Sequence, residues 1–331
     1  MNIKKTAIAA PNIALIKYWG KKNDLLKLPI NDSVSITLDE KVLRSKATLE
    51  ILDEKGKDRI WLNEKKVDDE KIKEWISLVR KKLARKYPVV KNKIVIKSEN
   101  NFPTSAGIAS SASGFCALAT ALCSCLRIKS KKQISILARL GSGSASRSVY
   151  GGIVRWKSGK RKDGEDSFAV QVVPKKHWQL VDIIAIVDEG VKKISSKEGM
   201  ERTMKTSGVM ENRKKEAKKR ILKIMGAIHN KNFDILAQET MDDSDFMHRA
   251  AARAKPPVIY MNDTSREIVY AIRKSNEKKI IAAYTFDAGA NAHIIVEKRN
   301  LGKIRKMLAK IKGVKRIIIS GIGNGSKIIE G

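Results

Sequence analysis

Four polar segments punctuated by glycine stand out in this 331-residue chain as places where chemistry could occur. They are NIALIKYWGKKN, which carries Lys17; FPTSAGIASSASG, from Phe102 to Gly114; GSGSASRSVYGG, from Gly141 to Gly152, which carries Arg147; and YTFDAGANAH, from Tyr284 to His293, which carries Asp287. Taken singly, each has an ordinary explanation: Lys17 as a snorkelling residue on a strand edge, Arg147 as a surface cation, Asp287 as a turn acid, the serine-rich run as a helix cap. Taken together they supply what phosphoryl transfer requires, namely a pocket for nucleotide phosphates, cations for an anionic acceptor, and a carboxylate that holds an attacking hydroxyl in line. In the serine-rich run, Gly107 and Gly114 leave the backbone open to close approach, while Thr104, Ser105, Ser110, Ser111 and Ser113 set hydroxyls beside the free N–H groups of a helix start. It is not a Walker A loop, because GxxxxGK followed by Ser or Thr is absent, and the HRD and DFG marks of protein kinases are absent too. HExxH, GxSxG and paired CxxC are also missing, which removes the common metalloprotease, α/β-hydrolase and zinc-site readings.

The elements that must position these segments are legible from periodicity. A strand-like run from Lys93 to Ser98 leads into the serine-rich loop, and Ile108 to Leu126 then reads as a helix of Ala, Ser and Cys whose small side chains permit close packing. Ile72, Trp75, Ile76, Val79 and Leu83 recur at helical spacing, which predicts a helix lying on a sheet built from the alternating runs before Leu52 and from RIWLN. Lys131 to Arg139 reads as a short helix before the Gly141 loop, and IVRWKS, FAVQVV and LVDIIAIV read as strands after it. Beyond Asp188 the pattern turns helical near Ser195 to Ser207, Arg213 to His229, Phe233 to Met247 and Ser265 to Ser275. Strands at Ile280 to Phe286 and Ala292 to Glu297, a helix at Leu301 to Ile311 and a strand at Val314 to Ser320 complete an α+β second half. The length accommodates two domains with substantial cores, and no apolar run approaches the roughly 20 residues of a membrane span.

Composition narrows the partners. With 68 Lys and Arg against 35 Asp and Glu the net charge is +33, yet the basic residues are spread along the whole chain. Aromatic content is 5%, without the interleaved stacking residues of a single-strand binder, so solvated lysine-rich surface and attraction of anionic substrates outweigh nucleic-acid binding. Cys116, Cys123 and Cys125 fall in one apolar helix with no histidine nearby, which points to reduced core thiols in a cytoplasmic protein. The MNIKKTAIAA start is broken by Pro11, Asn12 and Lys17 and reads as a first strand, not a secretory signal.

Six motifs in order, APNIALIKYWGKKN with LPINDSVSITL, ENNFPTSAGIASSASGF, GSGSASRSVYGG, ISSKEGMERTMKTS, PPVIYMNDTS and YTFDAGANAH, make the chain from Ala9 to Ile295 resemble the diphosphomevalonate decarboxylases of the GHMP kinase superfamily. The resemblance implies a two-lobed α+β GHMP kinase-like fold of mixed sheets with helices packed on them. An N-terminal domain with the ATP phosphate loop would run over residues 1–187 and a C-terminal domain closing the cleft over 188–331. It implies ATP-dependent decarboxylation of (R)-5-diphosphomevalonate to isopentenyl diphosphate in isoprenoid synthesis, with Mg²⁺, in a cytoplasmic homodimer. In the family the tertiary 3-hydroxyl is first phosphorylated; phosphate then departs as the carboxylate is lost. Carried over by motif, Asp287 orients or deprotonates that hydroxyl, Arg147 holds the substrate carboxylate and Lys17 lies near the reacting centre. Tyr18, Trp19, Gly20 and Lys21 form a substrate-binding turn; Ser142, Gly143, Ser144, Ala145 and Ser146 lead to the arginine; and Ser196 lies near the substrate phosphates. Ser105, Gly107, Ser110 and Ser111 belong to the ATP loop, with Ser111 nearest the transferred phosphoryl group. Two departures affect the anionic end: Lys197 stands where eukaryotic members have Thr, and Lys71 is the nearest counterpart of an Arg after the WLN strand. They keep or add positive charge but lose the hydroxyl or the bidentate fork, so a phosphomevalonate decarboxylase acting on a monophosphate or a mevalonate 3-kinase-like enzyme are the alternatives at this stage, with nucleic-acid binding on an inherited fold more remote.

Overall fold

A computed structural model describes residues 2–102, 110–190 and 193–330. The first half runs β1 (Ile3–Ala9), β2 (Asn12–Ile16), β3 (Lys21–Asn23), β4 (Leu28–Pro29), β5 (Ser33–Thr37), β6 (Ser45–Ile51), β7 (Arg59–Leu62), β8 (Lys65–Val67), α1 (Glu70–Leu83) and β9 (Ile94–Asn100). It continues with α2 (Ser110–Cys125), α3 (Lys131–Gly141), a 3-10 helix (Gly143–Val149), β10 (Ile153–Trp156), β11 (Ala169–Val173) and β12 (Leu180–Ile186). Four helices follow, α4 (Ser196–Thr206), α5 (Arg213–Asn230), α6 (Phe233–Ala252) and α7 (Asp263–Ser275), then β13 (Ala282–Phe286), β14 (Ala292–Glu297), α8 (Leu301–Leu308), β15 (Arg316–Gly321) and β16 (Lys327–Glu330).

Three main sheets organise these elements, in the orders β16-β1-β6-β9-β7-β8, β11-β10-β5-β2 and β13-β14-β12-β15. Among the described residues the β7–β9 pairing is parallel and the other pairings in these sheets are antiparallel. The first sheet alternates cleanly: along β6, Ser45, Ala47, Leu49 and Ile51 turn inward while Lys46, Thr48 and Glu50 face outward. Its inner face is covered by α2, whose run of Ala, Cys and Ser is buried nearly all round and so lies close to both the sheet and α3. Behind it α1 buries Ile72, Trp75, Ile76, Val79 and Leu83, the residues whose spacing predicts it, and Trp75 donates its indole N–H to the Leu137 carbonyl at 2.9 Å. Asp69 caps α1 by accepting from the Ile72 N–H, and Arg80, Lys81 and Lys82 favour its C-terminal end.

The two halves share a core. Ile13, Leu15, Val34 and Ile36 of the β2–β5 sheet pack in one cluster with Ile183, Tyr284, Phe286 and Ile294 of the last sheet and with Ile224 and Leu236 of α5 and α6. β12, on the first side of the expected break at 187/188, hydrogen-bonds to β14 and β15 of the second half. The chain end returns too: β16, a strand that periodicity does not reveal, pairs antiparallel with β1. Among the described residues no helix is long and apolar enough to cross a membrane.

Candidate active site

The floor of the cleft is where the first β-turn, the 3-10 helix and the end of β13 meet. Lys17 follows β2, is 2% exposed, and sets its Nζ 2.7 Å from Oδ1 of Asp287, which follows β13 and remains 33% exposed. The 270 residues between the partners make this a contact that only the fold can create. Burial pulls the Lys17 ammonium below the ordinary lysine range, and Asp287 opposes that shift. The Lys17 main chain is held as firmly as its side chain: its N–H donates to Asp243 at 2.6 Å, and its carbonyl accepts from Arg213 at 2.8 Å and Asn31 at 3.2 Å. Arg213 of α5 and Asp243 of α6 pair through two bonds of 2.5 and 3.0 Å with neither side chain exposed, so the base under Lys17 is itself a buried ion pair.

Arg147 is also buried, with Nε donating to Asn12 Oδ1 at 3.0 Å and Nη1 donating to Ser33 Oγ at 2.7 Å. Asn12 is fixed in turn by donating to the Ser144 carbonyl and Ser148 Oγ. Neither Asn12 nor Ser33 is ionised, so the guanidinium charge is left for a ligand. Burial pulls Arg147 down to about 10, opposed by Asp287, and it stays cationic at neutral pH. Lys17, Arg147 and Asp287 thus form one electrostatic unit, each cation feeling the same carboxylate.

Around this floor, Tyr18 stacks edge-on against Trp156 with centroids 4.8 Å apart, and its phenol is held protonated by burial. Gly143 makes room for it, since a Cβ there would sit 2.5 Å from the Tyr18 ring. Trp19 turns into an apolar cluster with Met200, Phe246 and Met247, and its indole N–H finds no acceptor among the described residues. Gly20 adopts φ +110°, a left-handed value that suits glycine, and Lys21 pairs with Asp24 at 2.5 Å and with Glu201 of α4 at 3.7 Å. Ala145 and Ser146 are buried in the 3-10 helix, and Ser146 donates to the Gly143 carbonyl. Ser196 and Lys197 are exposed in the first turn of α4, which Ser195 caps, and Lys71 is exposed in the first turn of α1.

Ser110 and Ser111 open α2, while Ser105 and Gly107 lie outside the described residues. Ser111 Oγ lies 3.4 Å from Ser142 Oγ, and Ser142 Oγ lies 3.3 Å from Ser144 Oγ. This hydroxyl chain joins the start of α2 to the loop that carries Arg147, so a phosphate at the helix start would lie beside the cationic floor. Among the described residues no group of three or more His, Cys, Asp or Glu forms a metal cage. That suits a Mg²⁺ bound mainly by nucleotide phosphates and water, to which Ser111 and the half-open Asp287 could add side-chain oxygens.

Motif reading gave no role to Asn12 and Ser33, although both lie inside quoted motifs, and it missed Arg213 and Asp243, which hold the floor from outside every motif. It also missed His248 of α6, whose Nε2 is buried without a partner among the described residues and whose ring lies edge-on to Phe286 and Tyr260. Burial and then the Lys17 charge press its pKa down to about 4, so it stands neutral beside the Lys17–Asp287 pair.

Two family models match the chain: the diphosphomevalonate decarboxylase-like N-terminal domain over residues 9–169 and the mevalonate 5-diphosphate decarboxylase C-terminal domain over 182–318. A diphosphomevalonate decarboxylase of Ganoderma lucidum is 43% identical, covering 92% of this chain and 81% of its own, and that of Saccharomyces cerevisiae is 38% identical, covering 95% and 83%. Mevalonate diphosphate decarboxylase from Staphylococcus aureus superposes with a TM-score of 0.91 at 34% identity, covering 100% of this chain and 99% of its own. A structure described as MDDEF in complex with MVAPP, AMPPCP and magnesium superposes with a TM-score of 0.90 at 33% identity over the whole of both chains.

Proposed function

The chain belongs to the diphosphomevalonate decarboxylase family, and from that premise we infer that it converts (R)-5-diphosphomevalonate and ATP to isopentenyl diphosphate, ADP, phosphate and carbon dioxide. The observation that carries the reading at the level of residues is the Lys17–Asp287 pair set against buried Arg147. Asp287 is the one anionic member of this trio, and its partial exposure leaves it able to accept the hydrogen bond of the substrate 3-hydroxyl and aim that oxygen at the phosphoryl donor. Lys17 holds Asp287 in place and offsets charge gathering on the transferred group. The charge of Arg147, supported by neutral Asn12 and Ser33, is free to hold the C1 carboxylate. Once the 3-oxygen is phosphorylated, the C3–O pair leaves with phosphate, the C1–C2 pair becomes the C2=C3 bond, and C1 departs as carbon dioxide. Phosphorylation is the necessary prelude, because hydroxide is a poor leaving group.

On the nucleotide side, the N-terminal turn of α2, with Ser110 and Ser111, holds the phosphates of ATP, and Mg²⁺ screens their charge. Tyr18, Trp19, Gly20, Lys21, Lys71, Ser142, Gly143, Ser144, Ala145, Ser146, Ser196 and Lys197 belong in this proposal to the substrate side, Trp19 as a packing support. We also place the enzyme in the cytoplasm as a homodimer, a setting that suits three unpaired thiols, Cys116, Cys123 and Cys125.

The test supplies Mg·ATP with mevalonate, its 5-phosphate or its 5-diphosphate, and follows ADP and carbon dioxide together. Both products are expected from the 5-diphosphate; ADP without carbon dioxide from all three compounds overturns decarboxylation. Asp287→Asn should lower turnover by about a hundredfold or more, and turnover near wild type would remove Asp287 from its role.

A further inference from the structure

Asp287 stands one residue past the end of β13, and β13 is the outer strand of its sheet, paired on one side with β14. Main-chain groups on the open side of such a strand need partners from elsewhere, because a buried N–H left alone is costly. At the far end of β13 Asn276 supplies them. Its Nδ2 donates to the Ala282 carbonyl at 2.8 Å, and its Oδ1 accepts from the Ile281 and Ala282 N–H groups at 3.0 and 3.3 Å. At the end that leads to Asp287 the partner comes from α6: the Phe286 N–H donates to Ser244 Oγ at 3.0 Å, with both residues buried. One turn further along α6, the His248 ring lies edge-on to the Phe286 ring with centroids 5.9 Å apart.

Ser244 is the neighbour of Asp243, which accepts from the Lys17 N–H at 2.6 Å. Two adjacent residues of one helix therefore grip the main chains that carry both members of the Lys17–Asp287 pair, although those members are 270 residues apart. Successive helix positions point about 100° apart, so α6 can reach the end of β2 with one residue and the end of β13 with the next. The two strands are also tied directly, because Thr285 Oγ1 donates to the Ala14 carbonyl at 3.2 Å. The β14 ladder ends at the Phe286–Ala292 pair, and Asp287 then enters a turn in which its carbonyl accepts from the Gly289 N–H at 2.8 Å. The direction in which Asp287 leaves the sheet is thus set at Phe286, where Ser244 holds the chain.

We propose that Ser244 is a positioning residue for the reaction: it fixes the main chain before Asp287 so that the carboxylate keeps its place against Lys17 and the acceptor hydroxyl. The proposal rests on the functional reading above for the role of Asp287, and it adds that α6 sets the spacing of the reacting pair through two adjacent side chains. A hydroxyl suits this task, since it accepts the Phe286 N–H without placing another charge beside the Lys17–Asp287 pair.

The experiment compares wild type with Ser244→Ala and with Asn276→Ala, which loosens the opposite end of the same strand. Release of ADP and carbon dioxide from (R)-5-diphosphomevalonate and Mg·ATP gives kcat and KM, and circular dichroism gives the melting temperature. Ser244→Ala should lower kcat about tenfold with KM for each substrate within about twofold, because a misplaced reacting group is felt in the chemical step. Asn276→Ala should lower the melting temperature at least as much, yet keep kcat within about twofold where it is folded. In an Asp287→Asn background, Ser244→Ala should cost less than about twofold, since residues that act as one unit are not additive. A wild-type kcat for Ser244→Ala overturns the proposal. So does an equal loss of kcat in Asn276→Ala, or a full further tenfold loss in the Asp287→Asn background. If wild type forms ADP without carbon dioxide, the decarboxylase reading fails; a tenfold slower ADP release by Ser244→Ala then keeps its assignment, and an unchanged rate removes it. Absence of turnover with mevalonate, its 5-phosphate and its 5-diphosphate overturns both.

Discussion

Asp243→Asn tests the idea that the catalytic floor is held from beneath. Asp243 is unexposed and accepts three hydrogen bonds, one from the Lys17 N–H and two from the equally buried Arg213, with Arg220 Nε a further 3.8 Å away. Asparagine keeps the shape but removes the charge and turns one acceptor into an NH₂ that must face a donor. Breaking one side of a buried ion pair costs about 3 to 5 kcal/mol, because the remaining charge is left desolvated. With an unfolding entropy of about 2.1 cal/mol/K per residue, a chain of 331 residues gains about 0.7 kcal/mol per kelvin, so the melting temperature should fall by about 4 to 7 °C. Turnover should fall further than stability alone explains, by about tenfold or more at a temperature where the variant is folded, because the Lys17 backbone loses its anchor and a small misplacement at the reacting centre is costly. Thermal unfolding by circular dichroism and carbon dioxide release give the two readouts. The double variant Arg213→Met with Asp243→Leu removes both charges and should recover most of the stability without the turnover, since the Lys17 N–H loses its Asp243 acceptor and the carbonyl keeps only Asn31. A melting temperature for Asp243→Asn within about 1 °C of wild type, or a double variant whose loss is the sum of the two single losses, would refute the reasoning.

Other expectations follow from single contacts. Gly143→Ala should cost about 1 to 3 kcal/mol and raise KM, because the new Cβ meets the Tyr18 ring at 2.5 Å; denaturant unfolding and kinetics check both. His248, pressed by burial to about 4, binds fewer protons folded than unfolded between pH 6.5 and 4, so stability is lost as pH falls through that window, by about 2 to 3 kcal/mol. His248→Gln should flatten that acid limb in urea titrations at the two pH values, and an unchanged slope counts against it. Burial raises the thiols of Cys116 and Cys123 to about 12 and Cys125 to about 11, so a thiol reagent at pH 8 should leave the native protein nearly unlabelled and modify all three cysteines in denaturant.

The helices with a strong apolar stripe were legible residue by residue. Ile72, Trp75, Ile76, Val79 and Leu83 are the buried face of α1, and the Ala and Cys run after the serine-rich loop is the tightly packed α2. Short or edge elements were not: KIIE is too brief to carry a period, and β16 exists because β1 offers it an open ladder. LVDIIAIV reads as a strand, but nothing local says that β12 joins the sheet of the second half. At the site, Lys17, Arg147 and Asp287 declared themselves through glycine-punctuated surroundings, since a backbone that must bend near a ligand leaves a mark in composition. Arg213 and Asp243 left none. RKKEAKK and DDSD read as ordinary solvated helix faces, in a chain already crowded with charge, until α5 and α6 turn one member of each inward beneath Lys17.

What the sequence by itself determined is the set of reactive groups, the local geometry of the loops that bear them and, through six ordered motifs, the family and its chemistry. Those properties depend on residue type and near-neighbour spacing, which are written along the chain. The tertiary structure alone decided which groups meet: Lys17 with Asp287 across 270 residues, Arg147 with Asn12 across 135, and Arg213 with Asp243 beneath the Lys17 backbone. Burial and charge compensation are properties of those meetings, set by packing between distant segments, and it is packing that turns Lys17 into a buried cation on Asp287 while Lys27, ten residues on, makes only a 3.8 Å contact with Glu74 of α1.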